Sequence, residues 1–312
     1  MGKTIVVALG GNAILQPTQK GTFEEQMINV EKTCLHIVKL IKEGYKVIIT
    51  HGNGPQVGNI LVQHMEARNK VPSMPLFVCG AESQGLLGYM ITQTMTNILR
   101  KEGINKQVCT ILTQVMVDKN DPAFENPTKP VGAFVSKEEA EEIMSQTEEK
   151  WIEDSGRGWR KVVYSPKPKK IVELAIIKAL VDQGNIVIAG GGGGIPVIEE
   201  DGELKGVEAV IDKDSAGSLL AQQMGADLFM VLTDVAQVAI NFGKPNQKNL
   251  DIVTTDQARQ YLKEGQFGSG SMGPKVEAAV AFVERGGSSV IASLEKLGEA
   301  VQGTAGTRFV KE

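Results

Sequence analysis

Six short apolar runs, at 4–9, 46–50, 107–117, 186–189, 228–233 and 289–292, constrain this chain more than any other feature. Each is rich in β-branched residues and bounded by turn residues, and none shows the polar alternation of a half-exposed strand. Strands of that kind are buried on both faces, which happens in a mostly parallel sheet covered by helices. Between the first two runs, Met27, Val30, Cys34, Ile37, Val38 and Ile41 recur at helical spacing, and Gly44 stands where such a helix would stop. Similar patterns occupy 82–101, 171–183, 214–224 and 274–285, and their stripes, Met90 and Met95 included, read as core. The fold class is α/β.

One stretch breaks the rhythm. Residues 118–163 are rich in proline, glycine and charge, with a single short helical pattern at 137–149. An inserted subdomain capping a cleft accounts for that polarity and length. Further on, Asp201-Gly202 has the composition of a hairpin turn. A boundary near 207–211 then divides the chain into an acid-binding half, 1–211 including the insertion, and a nucleotide-binding half, 212–312.

Charge and composition remove several classes of function. A net charge of -4 with interspersed signs argues against nucleic acid, whose backbone needs a strongly basic face. No apolar run approaches the ~20 residues of a membrane span. The start, Met1-Gly2-Lys3, leads into a strand pattern and not a signal peptide, so a cytoplasmic protein is expected. Cys34, Cys79 and Cys109 lack metal or redox spacing and read as buried fillers; His36, His51 and His64 are equally scattered, and no metal cage is expected.

Chemistry concentrates where the runs end. Gly10-Gly11-Asn12-Ala13 follows the first, and His51-Gly52-Asn53-Gly54-Pro55-Gln56-Val57-Gly58 closes the second, with Pro55 placed to start a helix. At the carboxyl edge of a parallel sheet the two loops should be neighbours, their bare amides and the Asn12 side chain forming a nest for a planar anion. The glycine run 190–194, including Gly191 and Gly192, ends another strand, where side chains would obstruct a close phosphate. The loop 268–273 formally matches the dinucleotide fingerprint, but 261–267 before it is polar and helical. What survives is an anion-binding loop feeding a helix N-terminus.

Neither a Walker loop nor the protein-kinase signature set occurs. A phosphotransferase lacking both must neutralise the migrating group with free side chains, and lysines in glycine-rich settings are the natural choice. Lys129, Lys213 and Lys275 qualify. Lys213 is flanked by carboxylates just before a helix, and Asp214 could orient lysines or cap that helix.

Taken together, Val7-Ala8-Leu9-Gly10-Gly11-Asn12-Ala13, the segments 51–58 and 126–132, Gly156-Arg157-Gly158-Trp159-Arg160, and the segments 190–196, 207–214 and 270–275 resemble the carbamate kinases of the amino-acid kinase family. The resemblance implies a three-layer αβα sandwich with a protruding subdomain, and a homodimer. It also implies reversible phosphoryl transfer between ATP and carbamate, giving ADP and carbamoyl phosphate, commonly run toward ATP during arginine breakdown. Gly10, Gly11, Asn12, Gly52 and Asn53 would hold carbamate. Lys129 and Lys213 would stabilise the transferring group, with Asp214 organising them. Gly191, Gly192, Thr233, Asp234, Met272, Pro274 and Lys275 would belong to the nucleotide side, with Mg²⁺ on the ATP phosphates. Tyr164 and Ala236 depart from the pattern, where proline and an acidic residue are common. Rival readings are an acetylglutamate, glutamate or aspartate kinase, a nucleotide-sensing module without catalysis, and a dinucleotide-dependent redox enzyme.

Overall fold

The computed structural model describes residues 2–154, 156–268 and 271–312. Thr4–Leu9 lies near the middle of an eight-stranded sheet, between Lys46–His51 and Leu228–Thr233 and parallel to both. Beyond Lys46–His51 come Ile186–Ile188 and then Val108–Thr110 at the edge, both parallel. Beyond Leu228–Thr233 comes Ser288–Ser293, also parallel. The sheet closes with Thr307–Val310, antiparallel to its neighbour, and Ile252–Thr254.

The unbroken apolar runs follow from burial on both faces. Ile5, Val7, Leu9, Ile49 and Met230 pack on one side with residues of the helices Phe23–Lys42 and Leu76–Lys101. Val6, Ala8, Ile48 and Val231 pack on the other with the helices Lys213–Met224 and Met272–Glu284. Each fully buried Val, Leu or Ile contributes roughly 1.5–3 kcal/mol over an exposed one, and the buried polar exceptions Thr50 and Ser289 donate to the Gly190 and Phe229 carbonyls. The result is the expected three-layer sandwich. Local signals set the helix ends: Thr22 and Glu25 form a reciprocal capping box for Phe23–Lys42, which stops before Gly44.

The segment 107–117 differs from its reading as one strand. Val108–Thr110 belongs to the main sheet, whereas Gln114–Val117 pairs with Ile195–Glu200 and Pro168–Ile171 in a second, four-stranded sheet completed by Glu203–Gly206. Thr113 makes the break. Its N–H donates to Gln84 Oε1 at 2.8 Å, and its hydroxyl accepts the Gly190 N–H at 2.9 Å and donates to Ile111 O at 2.8 Å. Side-chain bonds of that kind turn a chain without any change in apolar content. Cys109 also differs from a buried filler, being half-buried, while Cys34 and Cys79 are fully buried.

The insertion folds as a three-stranded antiparallel sheet, Lys129–Val135, Trp159–Val163 and Lys150–Glu153, with the helix Lys137–Gln146 beside it. Ala140, Trp151 and Val162 are buried in it, and Val131 and Val163 pack with Val57, Ile60 and Cys79 of the main body. Asp201 and Gly202 turn the hairpin between Ile195–Glu200 and Glu203–Gly206 with φ of 54° and 81°, the pair of positive values a type I′ turn needs. The main sheet runs through the division at 211, since Leu228–Thr233 pairs directly with Thr4–Leu9. Among the described residues, no helix is long and apolar enough to cross a membrane.

Candidate active site

The parallel strands deliver their following loops to one edge of the sheet, and there a cleft of about 300 Å³ opens. Gly11 and Gly52 meet on its wall. A Cβ added to Gly52 would lie 3.2 Å from Lys213 Cδ and 3.9 Å from Gly11 N, so the two loops are neighbours and the Lys213 stem lies across the second. Asn53 stands at the N-cap position of the helix Gly54–Ala67, with Pro55 in its first turn, but its side chain makes no capping bond and donates through Nδ2 to Ser83 Oγ at 2.7 Å.

The three lysines arrive from separate elements and divide between two carboxylates. Lys213 Nζ donates to Asp214 Oδ1 at 2.6 Å, and Lys275 Nζ to Asp214 Oδ2 at 3.1 Å. Lys129, at the start of the insertion's first strand, donates to Asp212 Oδ2 at 2.9 Å. Asp214 is only 2% exposed, and a carboxylate so deeply buried persists because both its oxygens face ammoniums. The helix cap falls to Asp212, whose Oδ1 accepts the N–H groups of Asp214 and Ser215 at 3.0 and 3.1 Å. Burial works to raise the Asp212 carboxyl. The Lys129 ammonium and its hydrogen bond, with the Ser215 amide and Lys213, outweigh burial and hold it below the usual carboxylate range.

The glycine run is demanded by close approach. A Cβ on Gly192 would stand 2.2 Å from Asn53 Nδ2, and one on Gly193 2.1 Å from Ile211 O, and both residues have positive φ. Bare backbone therefore lets this strap sit against the Asn53 loop on one side and the segment entering Lys213 on the other. Gly192 faces the cleft; Gly191 is buried against His51. The His51 ring is itself buried, with Nδ1 2.9 Å from Gly52 O. Burial pushes its pKa down to about 4 against the opposing effect of the Gly52 bond, and Lys213 lowers it further. It is neutral at pH 7.

Other sequence-predicted residues lie next door. Gly10, Asn12, Thr233 and Asp234 line a separate depression of about 350 Å³, where Asn12 Nδ2 donates to Asp234 Oδ2 at 2.5 Å. Pro274 lines the main cleft beside Lys275, whereas Met272 packs against the core. Ser269 and Gly270 of the 268–273 loop lie outside the described residues; Gly273 N–H donates to Gly268 O at 2.9 Å, and the helix Met272–Glu284 follows.

Of the charged residues lining this cleft, sequence reasoning gave no role to two. Asp212 carries a legible signal, an aspartate immediately before a helix, which had been assigned instead to Asp214. Arg160 lines the cleft from the insertion, with Nε donating to Gly132 O and Nη1 to Asp154, each at 3.2 Å, and its guanidinium 5.0 Å from the Phe134 ring centre. Only its place in the Gly156–Arg160 motif could have pointed there.

An αβα sandwich whose parallel strand ends gather glycine loops and three lysines defines a phosphotransferase of the amino-acid kinase type. The sequence matches the amino acid kinase family over residues 3–293, and the chain belongs to that family. Within it, the chain groups with the carbamate kinases. The carbamate kinase of Thermococcus kodakarensis is 58% identical over 315 residues, covering 99% of this chain and 100% of that one. Carbamate kinase from Giardia lamblia bound to AMP-PNP superposes with a TM-score of 0.95 at 47% identity, covering 100% of this chain and 99% of the other. The same Giardia enzyme thiocarbamoylated by disulfiram on a cysteine gives 0.93 at 46% identity, with the same coverage.

Proposed function

We propose that the cleft transfers a phosphoryl group reversibly between ATP and carbamate, giving ADP and carbamoyl phosphate. The observation that carries this reading is the convergence of Lys129, Lys213 and Lys275 on one cleft beside the Gly11 and Gly52 loops. Carbamate is already an anion and needs no general base, which suits a site whose nearby histidine, His51, is buried and neutral. The obstacle is repulsion between two anions. Lysines and loop amides relieve it, most strongly as charge shifts during transfer.

Gly11, Gly52 and Asn53 would seat the small acid. Lys129 and Lys213 would attend the phosphoryl oxygens, with Asp214 fixing Lys213 and Lys275 relative to each other. Gly192, Pro274 and Lys275 would meet the nucleotide phosphates from the 212–312 half and the glycine strap, with Gly191 supporting that strap from beneath. In this reading Gly10, Asn12, Thr233 and Asp234 form the adjoining nucleotide-side depression, and Asn12 acts there and not on carbamate. Met272 shapes the wall behind Lys275.

Among the described residues no three or more His, Cys, Asp or Glu side chains gather as a cation cage, and lysines occupy Asp212 and Asp214. Mg²⁺ would therefore ride on the nucleotide phosphates, where it supplies charge neutralisation. A cytoplasmic enzyme working toward ATP during arginine breakdown fits this reading. The edge strand Val108–Thr110 is flanked by the exposed side chains of Leu86, Tyr89 and Leu112, the kind of face a homodimer covers.

ATP formation from ADP and carbamoyl phosphate with Mg²⁺ tests the assignment. Turnover of acetylglutamate without turnover of carbamate would overturn it. Light scattering tests the dimer, which should dissociate when Tyr89 and Leu112 are both changed to Asp.

A further inference from the structure

A carboxylate in a cleft built for phosphoryl groups repels the ligand, so its presence there needs a reason. Asp214 has one, since it gathers two ammoniums. Asp212 caps a helix through Oδ1 alone, and Asn or Ser would cap as well without a negative charge. The charge is accounted for by Oδ2, which takes Lys129 Nζ at 2.9 Å across 83 residues of sequence. Lys129 belongs to the insertion, with its side chain 38% exposed. A lysine so placed must give up much of its rotamer freedom before it holds one position.

We infer that Asp212 is a positioning residue that holds the Lys129 ammonium at the first turn of Lys213–Met224, in register with Lys213. It acts through Lys129 and does not itself touch the substrate. An ammonium has three donors, so Lys129 keeps Asp212 on one while offering the others to phosphoryl oxygens. The capping bond gives this arrangement its rigidity, because the carboxylate that aims the lysine is itself fixed to two backbone amides. The inference deepens the phosphotransfer reading and rests on it.

Asp212→Asn separates the two jobs, because the amide oxygen keeps the cap while the charge is lost. The first measurement does not depend on activity: amines are labelled with a limiting N-hydroxysuccinimide ester and peptides are read by mass spectrometry. Lys129 should become several-fold more reactive in the variant while Lys137 and Lys296 do not change; equal Lys129 reactivity in both proteins overturns the inference. The second is a double-mutant cycle in the direction of ATP formation. Asp212→Asn alone should lower kcat about tenfold or more with little change in the KM for ADP, yet change it by less than about threefold when Lys129 is already Ala. Losses that multiply in the double variant also overturn it. If the unmodified protein forms no ATP from carbamoyl phosphate, the functional reading fails and the labelling alone decides the role of Asp212.

Discussion

Lys275 reaches Asp214 Oδ2 at 3.1 Å from a helix 61 residues further along the chain. The other oxygen belongs to Lys213, so one buried carboxylate sets the distance between two ammoniums. Asp214→Asn should lower kcat by ~10²-fold or more and reduce unfolding free energy by about 3 kcal/mol, since two like charges are left without their counter-ion. Steady-state kinetics and urea titration check both effects. An active variant of unchanged stability would mean the lysines are held by something else.

Lys129→Ala and Lys213→Ala should each cut kcat by at least ~10²-fold, with a smaller effect on the KM for nucleotide. The split follows because an ammonium facing developing charge matters most in the transition state. Near-normal kcat in both variants would remove electrostatic stabilisation by these lysines from the mechanism.

Gly193→Ala tests the strap. Its φ of 94° disfavours any side chain, and the added Cβ would overlap Ile211 O. Strain of this kind costs about 1–3 kcal/mol before the overlap is counted, and relieving it must shift the segment leading to Asp212 and Lys213. Both stability and kcat should fall, and calorimetry with an activity assay reads them on one sample.

The buried ring of His51 predicts an acid-side loss of stability. Its folded pKa of about 4 lies below the ordinary 6.5, so between those values the unfolded chain takes up a proton that the folded chain refuses. The stabilisation is complete above the unfolded value and is lost as pH falls from about 6.5 toward 4. Between pH 7 and pH 5 the native chain should lose about 2 kcal/mol more than His51→Gln. Urea unfolding of both proteins at the two pH values measures the difference, and parallel losses would refute the assignment.

Thiol chemistry should also set this chain apart. Burial pushes Cys34 up to about 12 and Cys79 up to about 11, and it raises Cys109 as well, so all three thiols are poor nucleophiles at neutral pH. The Giardia relative is thiocarbamoylated by disulfiram. Here the native protein should keep its activity in that reagent and gain no mass, while the urea-unfolded chain reacts at its cysteines. Rapid modification of the folded protein would contradict the burial.

The central strands were legible because burial on both faces writes itself as an unbroken apolar run, as in Thr4–Leu9 and Leu228–Thr233. Of the second sheet only the hairpin at Asp201-Gly202 was, because the remaining strands are short and find partners far away in sequence: Ile195 pairs with Gln114, and Val115 with Ile171. No local period records such a partner. In the site, Lys129 and Lys275 stood out by their glycine- and proline-rich settings and Lys213 by its flanking carboxylates, whereas the division of labour between Asp212 and Asp214 depended on a cap displaced by two residues. The fate of Asn12 was hidden for a different reason. Its side chain turns toward Asp234, a contact between strand ends that are adjacent only once the sheet has formed.

Lys129, Lys213 and Lys275 come from three widely separated stretches of the chain. During synthesis the last of them emerges when most of the polypeptide has already left the ribosome, so a half-made chain cannot assemble the cationic trio. A chain that stops before the helix Met272–Glu284 therefore lacks one of the three ammoniums and leaves the Asp214 carboxylate with Lys213 alone.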